Sequence, residues 1–159
     1  MNKKMILSLV NKVIKVDRGG TKSRVGKLLS AADDYFTLLT EDEGIIYYNI
    51  QHIKSLTHNS KDELKFDLEI PEDFEYIQAE DFKGVLNCLT LHWVKINQSE
   101  LETIEGVLDE VNDDFVTIVA NEEIIRVAIF HIRHFSYGGK IAKTKDDKGR
   151  NSKQPEETK

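Results

Sequence analysis

The residues best suited to a chemical task are six basic side chains in one short stretch near the N-terminus. They are Lys12, Lys15, Arg18, Lys22, Arg24 and Lys27, and Asp17 is the only acidic residue among them. Ammonium and guanidinium groups bind carboxylates and phosphates, so this stretch is a candidate site for an anionic partner. We assign the partner-docking role to its loop residues, which are Arg18, Gly19, Gly20, Lys22, Arg24 and Lys27. A solvated loop and a nucleic-acid site are the alternatives.

Two features disfavour nucleic acid as the partner. No aromatic residue interleaves the basic ones, so no ring between them can stack on a base. The chain of 159 residues has a net charge of −6, although residues 138–159 carry seven Lys or Arg against four Asp or Glu. The first 137 residues are therefore more acidic than the whole chain. Such a body is not typical of proteins that bind phosphate backbones without specificity.

The other reactive residue types form no catalytic or metal-binding pattern. Asp33-Asp34 and Asp113-Asp114 each precede a strand-like run and are typical of turns. His131 and His134 would lie on opposite faces of a strand, and a closed zinc site needs four ligands. Cys88 is expected to be a buried small apolar residue, with an intermolecular crosslink as the alternative. We therefore predict no enzyme, no cofactor and no metal.

An internal repeat places the basic stretch inside a small β-rich unit. Gly26 and Leu28 recur eighty residues later as Gly106 and Leu108, and after a one-residue deletion His52-Ile53 recurs as His131-Ile132. Within each repeat, short runs rich in β-branched and aromatic residues are separated by turn residues such as Asp17 to Gly20. This pattern predicts five short strands in each half.

Each repeat begins with apolar residues at helical spacing. The first set is Ile6, Leu9, Val10 and Val13, and the second is Phe82, Leu86, Leu89 and Trp93. A helix followed by five short strands is the element order of Sm-like and SH3-like barrels, and so small a sheet must close to bury a core. We predict a mainly β chain with short helices, in which two tandem five-stranded Sm-like or SH3-like barrels are each preceded by a helix. A disordered C-terminal tail follows them.

This organisation divides the chain into four parts. Residues 1–57 form the first helix and barrel, 58–78 an acidic connector, 79–137 the second helix and barrel, and 138–159 a charged disordered tail. The connector is expected to hold a short strand from Leu64 to Ile70. No apolar run approaches the ~20 residues of a membrane span, so we expect no membrane insertion.

The repeat also predicts which residues form the two cores. The first core should contain Ile14, Val16, Leu28, Leu38, Ile46 and Ile53. The matching positions of the second are Ile96, Leu108, Ile118, Ile125 and Ile132.

Several motifs resemble the spore coat protein B family of endospore-forming bacteria. The stretch from Arg18 to Leu28 is similar to the family's recurring R-G-G-x-x-S-x-x-G-x-L element. Asp33-Asp34-Tyr35, the run from Ile46 to Ser55, and the run from Leu89 to Asn97 resemble the family in order and spacing. The resemblance covers roughly residues 9–137.

The resemblance implies a non-enzymatic structural component of the outer spore coat. Such a protein is made in the mother-cell cytoplasm and deposited on the spore surface. The implied partners are other spore coat proteins, and self-association is a further option. An Sm-like nucleic-acid-binding or regulatory module is the alternative function.

A difference between the repeats suggests how copies could associate. The first repeat keeps the Gly19-Gly20 turn among basic residues, whereas Gln98-Ser99-Glu100 stands at the matching place in the second. The second loop also carries Glu102 and Glu105 and no basic residue. A positive loop on one copy could therefore contact a negative loop on the next, and such a contact would extend into a layer or filament.

Overall fold

The computed structural model describes residues 1–20, 22–98 and 103–138. Their regular secondary structure is mainly β-strand, with two short α-helices and two 3₁₀ turns. The predicted disordered tail, apart from Gly138, lies outside the described residues.

The two halves contain the same elements in the same order. The first half has α1 (Lys3–Leu7), β1 (Val13–Val16), β2 (Arg24–Ala31), β3 (Tyr35–Thr40), β4 (Gly44–Asn49), a 3₁₀ turn (Ile50–His52) and β5 (Leu56–Thr57). The second half has α2 (Phe82–Cys88), β6 (Trp93–Ile96), β7 (Ile104–Val111), β8 (Phe115–Ala120), β9 (Glu123–Ala128), a 3₁₀ turn (Ile129–His131) and β10 (His134–Tyr137).

Both helices are shorter than the apolar spacing predicts. Each begins after a capping residue, Asn2 or Asp81, whose side chain accepts a hydrogen bond from a backbone N–H of the first turn. Each ends before a residue with left-handed backbone, Asn11 at φ 73° or Leu91 at φ 72°. An α-helix cannot continue through that conformation. Trp93, the last position of the second helical pattern, consequently lies in β6.

The strands do not form two separate closed barrels. They form one open ten-stranded sheet in the order β5-β1-β2-β3-β4-β10-β6-β7-β8-β9. Within each half the fifth strand pairs with the first, but β10 also pairs with β4 of the other half. The prediction of two closed barrels was wrong in this respect. The free edge of β4 pairs with β10 of the second half and not with β5 of its own half.

The pairing registers of the two halves coincide. Val16 lies opposite Arg24, and eighty residues later Ile96 lies opposite Ile104. The register of β2 against β3 shifts after Leu28, and that of β7 against β8 shifts after Leu108. The two halves therefore fold into the same local structure at equivalent positions.

Two clusters of buried residues pack against the sheet. The first contains Ile14, Val16, Leu28, Leu38 and Ile46, and Ile53 packs at its margin. The second contains Ile96, Leu108, Ile118 and Ile132, with Ile125 at its margin. The second cluster also includes residues from the other side of the first half, namely Tyr35, Leu39, Ile45 and Tyr47.

Two equivalent glycines allow neighbouring strands to approach closely. A Cβ on Gly26 would lie 2.5 Å from the carbonyl oxygen of Leu39. On Gly106 it would lie 2.6 Å from that of Val119. Both contacts are closer than a side chain allows, so these positions need glycine for space.

The connector covers part of the first half. Residues 64–70 have irregular backbone instead of the predicted strand. Leu68 is nonetheless buried in the second core cluster, and the N–H of Asp67 donates to Oε2 of Glu41. The connector thus packs on the first half through a side chain and side-chain hydrogen bonds. The boundaries at residues 57/58 and 78/79 stay predictions.

Candidate functional site

A basic cleft of about 260 Å³ lies where the two halves meet, and we call it the seam cleft. Its basic lining residues are Arg18, Lys22, Arg24, Lys54 and Arg133, and Asp17 is the acidic one. Four of the five basic residues come from the first half and Arg133 from the second. The pairing of β10 with β4 is what brings Arg133 to the cleft.

The loop between β1 and β2 forms one wall of the seam cleft. Gly19 and Gly20 have φ angles of 76° and 132°, in the region that favours glycine, and open space surrounds both. At the base of the loop, Oδ1 of Asp17 accepts hydrogen bonds from the N–H groups of Lys54 (2.7 Å) and Ser55 (3.2 Å). The carboxylate therefore fixes the exposed loop to the chain just before β5.

Arg24 forms the buried floor of the cleft. Its Nε lies 2.5 Å from Oε1 of Glu43, and Nη2 donates to the carbonyl oxygen of Gln98 at 2.7 Å. Nη1 donates to the hydroxyl of Tyr48 at 3.2 Å and faces Nε2 of His134 at 3.3 Å. Arg24 therefore connects the first half to the second instead of reaching into solvent.

The environment of Arg24 perturbs three ionisation equilibria. Burial acts to lower its own pKa, but the hydrogen bond and charge of Glu43, together with Tyr48, outweigh burial, so the pKa is raised. Burial raises the pKa of Tyr48 to about 12, against the opposing effect of Arg24. Burial lowers the pKa of His134 to about 3, and the positive charges of Arg24, Arg133 and Lys22 act in the same direction.

His134 is consequently neutral at physiological pH. An arginine has only donors, so Nε2 of His134 must accept the hydrogen bond from Arg24, which places the imidazole proton on Nδ1. The floor of the cleft therefore carries the charge of Arg24 compensated by Glu43. The rim adds positive charge at the surface, where the side chains of Arg18, Lys22 and Lys54 are exposed.

The structure separates the predicted docking residues into three groups. Arg18, Gly19, Gly20 and Lys22 are exposed at the seam cleft. Arg24 is only 8% exposed and is committed to contacts inside the protein. Lys27 is half-buried on β2 and does not line the cleft.

Sequence reasoning missed the part of the cleft contributed by distant segments. Lys54 and Arg133 align with each other in the repeat, and that match of basic residues was the one available signal. Nothing in the sequence indicates that both would border the same cleft. Of the negative loop predicted in the second half, residues 99–102 lie outside the described residues. Its Glu105 accepts a hydrogen bond from Nε1 of Trp93 at 3.0 Å.

Three further observations bear on the chemistry of the chain. Cys88 is exposed, so the prediction of a buried small residue was wrong, because α2 turns this position away from the core. Within residues 1–20, 22–98 and 103–138, no group of three or more His, Cys, Asp or Glu residues could hold a metal ion. The same residues include no helix long and apolar enough to cross a membrane.

Comparison with known proteins identifies a relative. Spore coat protein B of Bacillus subtilis (strain 168) is 38% identical over 143 residues, which cover 90% of this chain and 37% of that protein. The chain thus spans little more than a third of the length of its relative. No family model and no solved structure matches the chain. The identity extends over nearly the whole chain, in agreement with the motifs quoted above, and it supports the assignment of the chain to the spore coat protein B family.

Proposed function

We propose that this protein is a non-enzymatic structural component of the bacterial spore coat, in its outer part, and that it acts by assembling with other coat proteins. The support is the relative named spore coat protein B, with which it shares 38% identity. In this proposal the chain is made in the mother-cell cytoplasm and deposited on the spore surface.

The observation that carries the assembly mechanism is the seam cleft. Arg18, Lys22 and Lys54 present positive charge on its rim, and the buried Arg24 joins the two halves beneath it through the carbonyl oxygen of Gln98 and Nε2 of His134. A cleft built from both halves keeps its shape only while they are joined. We propose that it docks an acidic segment of another coat protein.

The energetics favour a segment with several carboxylates. A single exposed ion pair contributes only about 0–1 kcal/mol, because water and salt screen it. Several pairs made at once by one segment would add up, while the cleft walls would lower the loss of side-chain freedom. The docking contact should therefore weaken as salt concentration rises.

A nucleic-acid-binding module remains the second candidate because the same rim could bind phosphates. Its weakness is that, among the described residues, the cleft lining contains no exposed Phe, Tyr or Trp ring. The aromatic ring that lines the seam cleft, Tyr48, is only 2% exposed and stacks on Phe36 with ring centroids 5.1 Å apart. Single-strand binding proteins rely on exposed rings against which bases stack.

Fluorescent fusions in sporulating cells test the proposal. The cleft variant combines Arg18→Glu, Lys22→Glu and Lys54→Glu. The control combines Lys4→Glu, Lys12→Glu and Lys61→Glu, which makes the same charge change at exposed positions outside the cleft. We expect wild type and control to form a fluorescent layer at the spore surface, and the cleft variant to stay in the mother cell. Equal deposition of both variants would contradict docking through the cleft, and absence of the wild type from the spore would contradict the coat role.

Filter binding separates the second candidate from the first. Purified protein is titrated into labelled single-stranded RNA at several salt concentrations. Coat assembly predicts no saturable binding at physiological salt. Retention that falls steeply with salt and is lost in the cleft variant, but not in the control, would favour the nucleic-acid module.

A further inference from the structure

The two halves of the sheet meet at one junction, and the two end strands of the sheet are equivalent to the two strands of that junction. At the junction β4 pairs with β10, so a fourth strand of one half meets the fifth strand of the other. At the ends of the sheet lie β5, the fifth strand of the first half, and β9, the fourth strand of the second. Within the part of the chain that the structure describes, each of these end strands has a partner on one side only.

The closed junction shows which contacts hold such strands together. Phe135 lies opposite Tyr47 in the antiparallel pair, and their rings stack with centroids 5.2 Å apart. The N–H of Asn49 donates to the carbonyl oxygen of Arg133 at 2.9 Å. This last bond continues the pairing to the end of β4.

The open edge of β9 presents the same backbone groups, and no strand of the described residues pairs with them. Ala128 is the residue equivalent to Asn49, seventy-nine positions later. The next N–H, of Ile129, donates to Asp114 towards β8, at 2.9 Å. Successive residues of a strand alternate the side on which they form backbone hydrogen bonds, so the N–H of Ala128 faces the open edge.

Apolar side chains are exposed at both ends of the sheet, whereas the side chains at the equivalent positions of the closed junction are buried. Val119 and Ile124 are 37% and 63% exposed, whereas Leu39 and Ile45 at the equivalent positions are 0% and 7% exposed. At the other end of the chain, Met5 of α1 is 40% exposed.

The equivalent of Met5 is Val85 of α2, and it is fully buried. Val85 belongs to the core cluster that includes Tyr35 and Tyr47 of the first half. Beside it, Phe82 packs on Tyr35 with ring centroids 6.4 Å apart, so α2 covers the outer face of β3 and β4. By equivalence, α1 has the position from which to cover β8 and β9 of another copy.

We propose that copies of this chain associate head to tail, with β9 of one copy pairing antiparallel with β5 of the next. The register copied from the closed junction places Val127 opposite Ser55, Arg126 opposite Leu56 and Ile125 opposite Thr57. The N–H of Ala128 then donates to the carbonyl oxygen of Lys54 in the next copy. Met5 of that copy covers Val119 and Ile124.

This contact is heterologous, so each copy keeps one free end of each kind. Repetition gives a ring if the rotation per copy closes and a filament if it does not. The contact should be weaker than the closed junction, because β5 has two residues and Arg126 replaces the stacked Tyr47. Association should therefore depend on concentration.

This contact shares only Lys54 with the seam cleft, and Lys54 contributes its side chain to the cleft but its carbonyl oxygen to the strand pairing, so this proposal can fail while docking through the cleft stands. It also differs from the contact between charged loops suggested by the sequence, because backbone pairing and apolar burial hold the copies together instead of loop charges.

The test measures the mass of the purified full-length chain by sedimentation velocity over a range of concentrations. Ala128→Pro removes the outward N–H, and the native φ of −64° already suits proline. Ala128→Ser keeps the N–H and is the matched control. We expect wild type and Ala128→Ser to associate, and Ala128→Pro to need at least about tenfold higher concentration. Circular dichroism and the melting temperature verify that each variant is folded.

A mixing experiment tests the polarity of the contact. Met5→Glu blocks the α1 end and leaves β9 intact, whereas Ala128→Pro blocks β9 and leaves the α1 end intact. Each variant alone should be mainly monomeric, and an equimolar mixture should form dimers that do not grow further. A wild type that stays monomeric at all concentrations, an Ala128→Pro variant that associates like wild type, or a mixture without dimers would overturn the proposal.

Discussion

Each half of the sheet has an inner face, which carries Ile14 or its equivalent Val94, and an outer face, which carries Leu39 or its equivalent Val119. Side-chain burial differs far more between the two outer faces than between the two inner faces. On the inner side, Ile14, Leu28 and Leu38 are as completely buried as Val94, Leu108 and Ile118 at the matching positions. On the outer side, Leu39 is fully buried, whereas its equivalent Val119 is 37% exposed. The same strands in the same register thus have two different surroundings.

The covering segments explain this difference. Residues between the halves lie on the outer face of the first, where the hydroxyls of Tyr35 and Tyr47 donate to the carbonyl oxygens of Ala79 and Ile77, both at 2.7 Å. In the second half, Phe115 and Arg126 stand at the positions of these tyrosines. Each half therefore has buried residues on both sides of its strands only where another element covers its outer face.

The largest expected effect distinguishes Tyr47 from its equivalent Arg126. Tyr47→Ala should lower the free energy of unfolding by about 3–5 kcal/mol, because a fully buried ring that stacks on Phe135 is lost. Arg126→Ala, at an exposed position, should change it by no more than about 0.5 kcal/mol. Urea unfolding of dilute protein measures both. Equal costs for the two variants would contradict the difference in covering.

The second effect is a loss of stability at low pH, and its cause, His134, lies in the second half only. The pKa of His134 is about 3 in the folded chain, below the ordinary value of 6.5, so the unfolded chain binds a proton more readily. The stability that neutral His134 provides is complete above pH 6.5 and is lost as pH falls towards 3, by a few kcal/mol in order of magnitude. Ser55 stands at the equivalent position and cannot titrate in this range.

Unfolding free energies measured between pH 7 and pH 4 test this assignment. His134→Gln should flatten the pH dependence, whereas His58→Gln, at an exposed position, should leave it as in wild type. A His134→Gln variant with the wild-type slope would mean that other groups cause the acid sensitivity.

A smaller effect should be the same in both halves. Gly26→Ala and Gly106→Ala each force a Cβ against the backbone of the neighbouring strand, and each should cost about 1–3 kcal/mol. Melting temperatures measured side by side compare them. A large cost in one half and none in the other would show that the inner faces are less alike than their registers indicate.

The smallest effect also compares equivalent positions. Asp17 and Asn97 both have left-handed backbone, at φ 55° and 54°, and each side-chain oxygen accepts hydrogen bonds from two consecutive backbone N–H groups. Asp17→Asn should therefore change stability by less than about 0.5 kcal/mol. Asp17→Leu is the contrasting variant and should cost more, since it removes the acceptor and suits left-handed backbone poorly.

The sequence was informative about local structure and less so about how the halves join. Alternating apolar residues predicted the strands and the inner core, because period two is a local property. The pairing of β4 with β10 joins residues such as Tyr47 and Phe135 that are far apart in the chain. Edge pairing of this kind depends on shape and backbone groups that no local pattern records.

The candidate site was predicted to a similar extent. Gly19 and Gly20 between basic residues indicated an exposed loop, and the structure places them at the seam cleft. Arg24 could not be recognised as buried, because its partners Glu43 and His134 approach it only after the sheet has formed. Charge counting treats every arginine as solvated, and it therefore placed the buried Arg24 among the exposed basic residues of the loop.

The central claim is that the chain has one closed junction, between β4 and β10, and two open end strands, β9 and β5, that are equivalent to them. Amide hydrogen exchange at Asn49 and Ala128 tests this claim most directly. Asn49 should exchange slowly at every protein concentration, because its N–H is bonded to Arg133 inside the chain. Ala128 should exchange rapidly in dilute solution and slowly in concentrated solution, where β5 of a second copy covers it. Protection of Ala128 in dilute protein, or rapid exchange of Ala128 in protein shown by its mass to be associated, would contradict the claim.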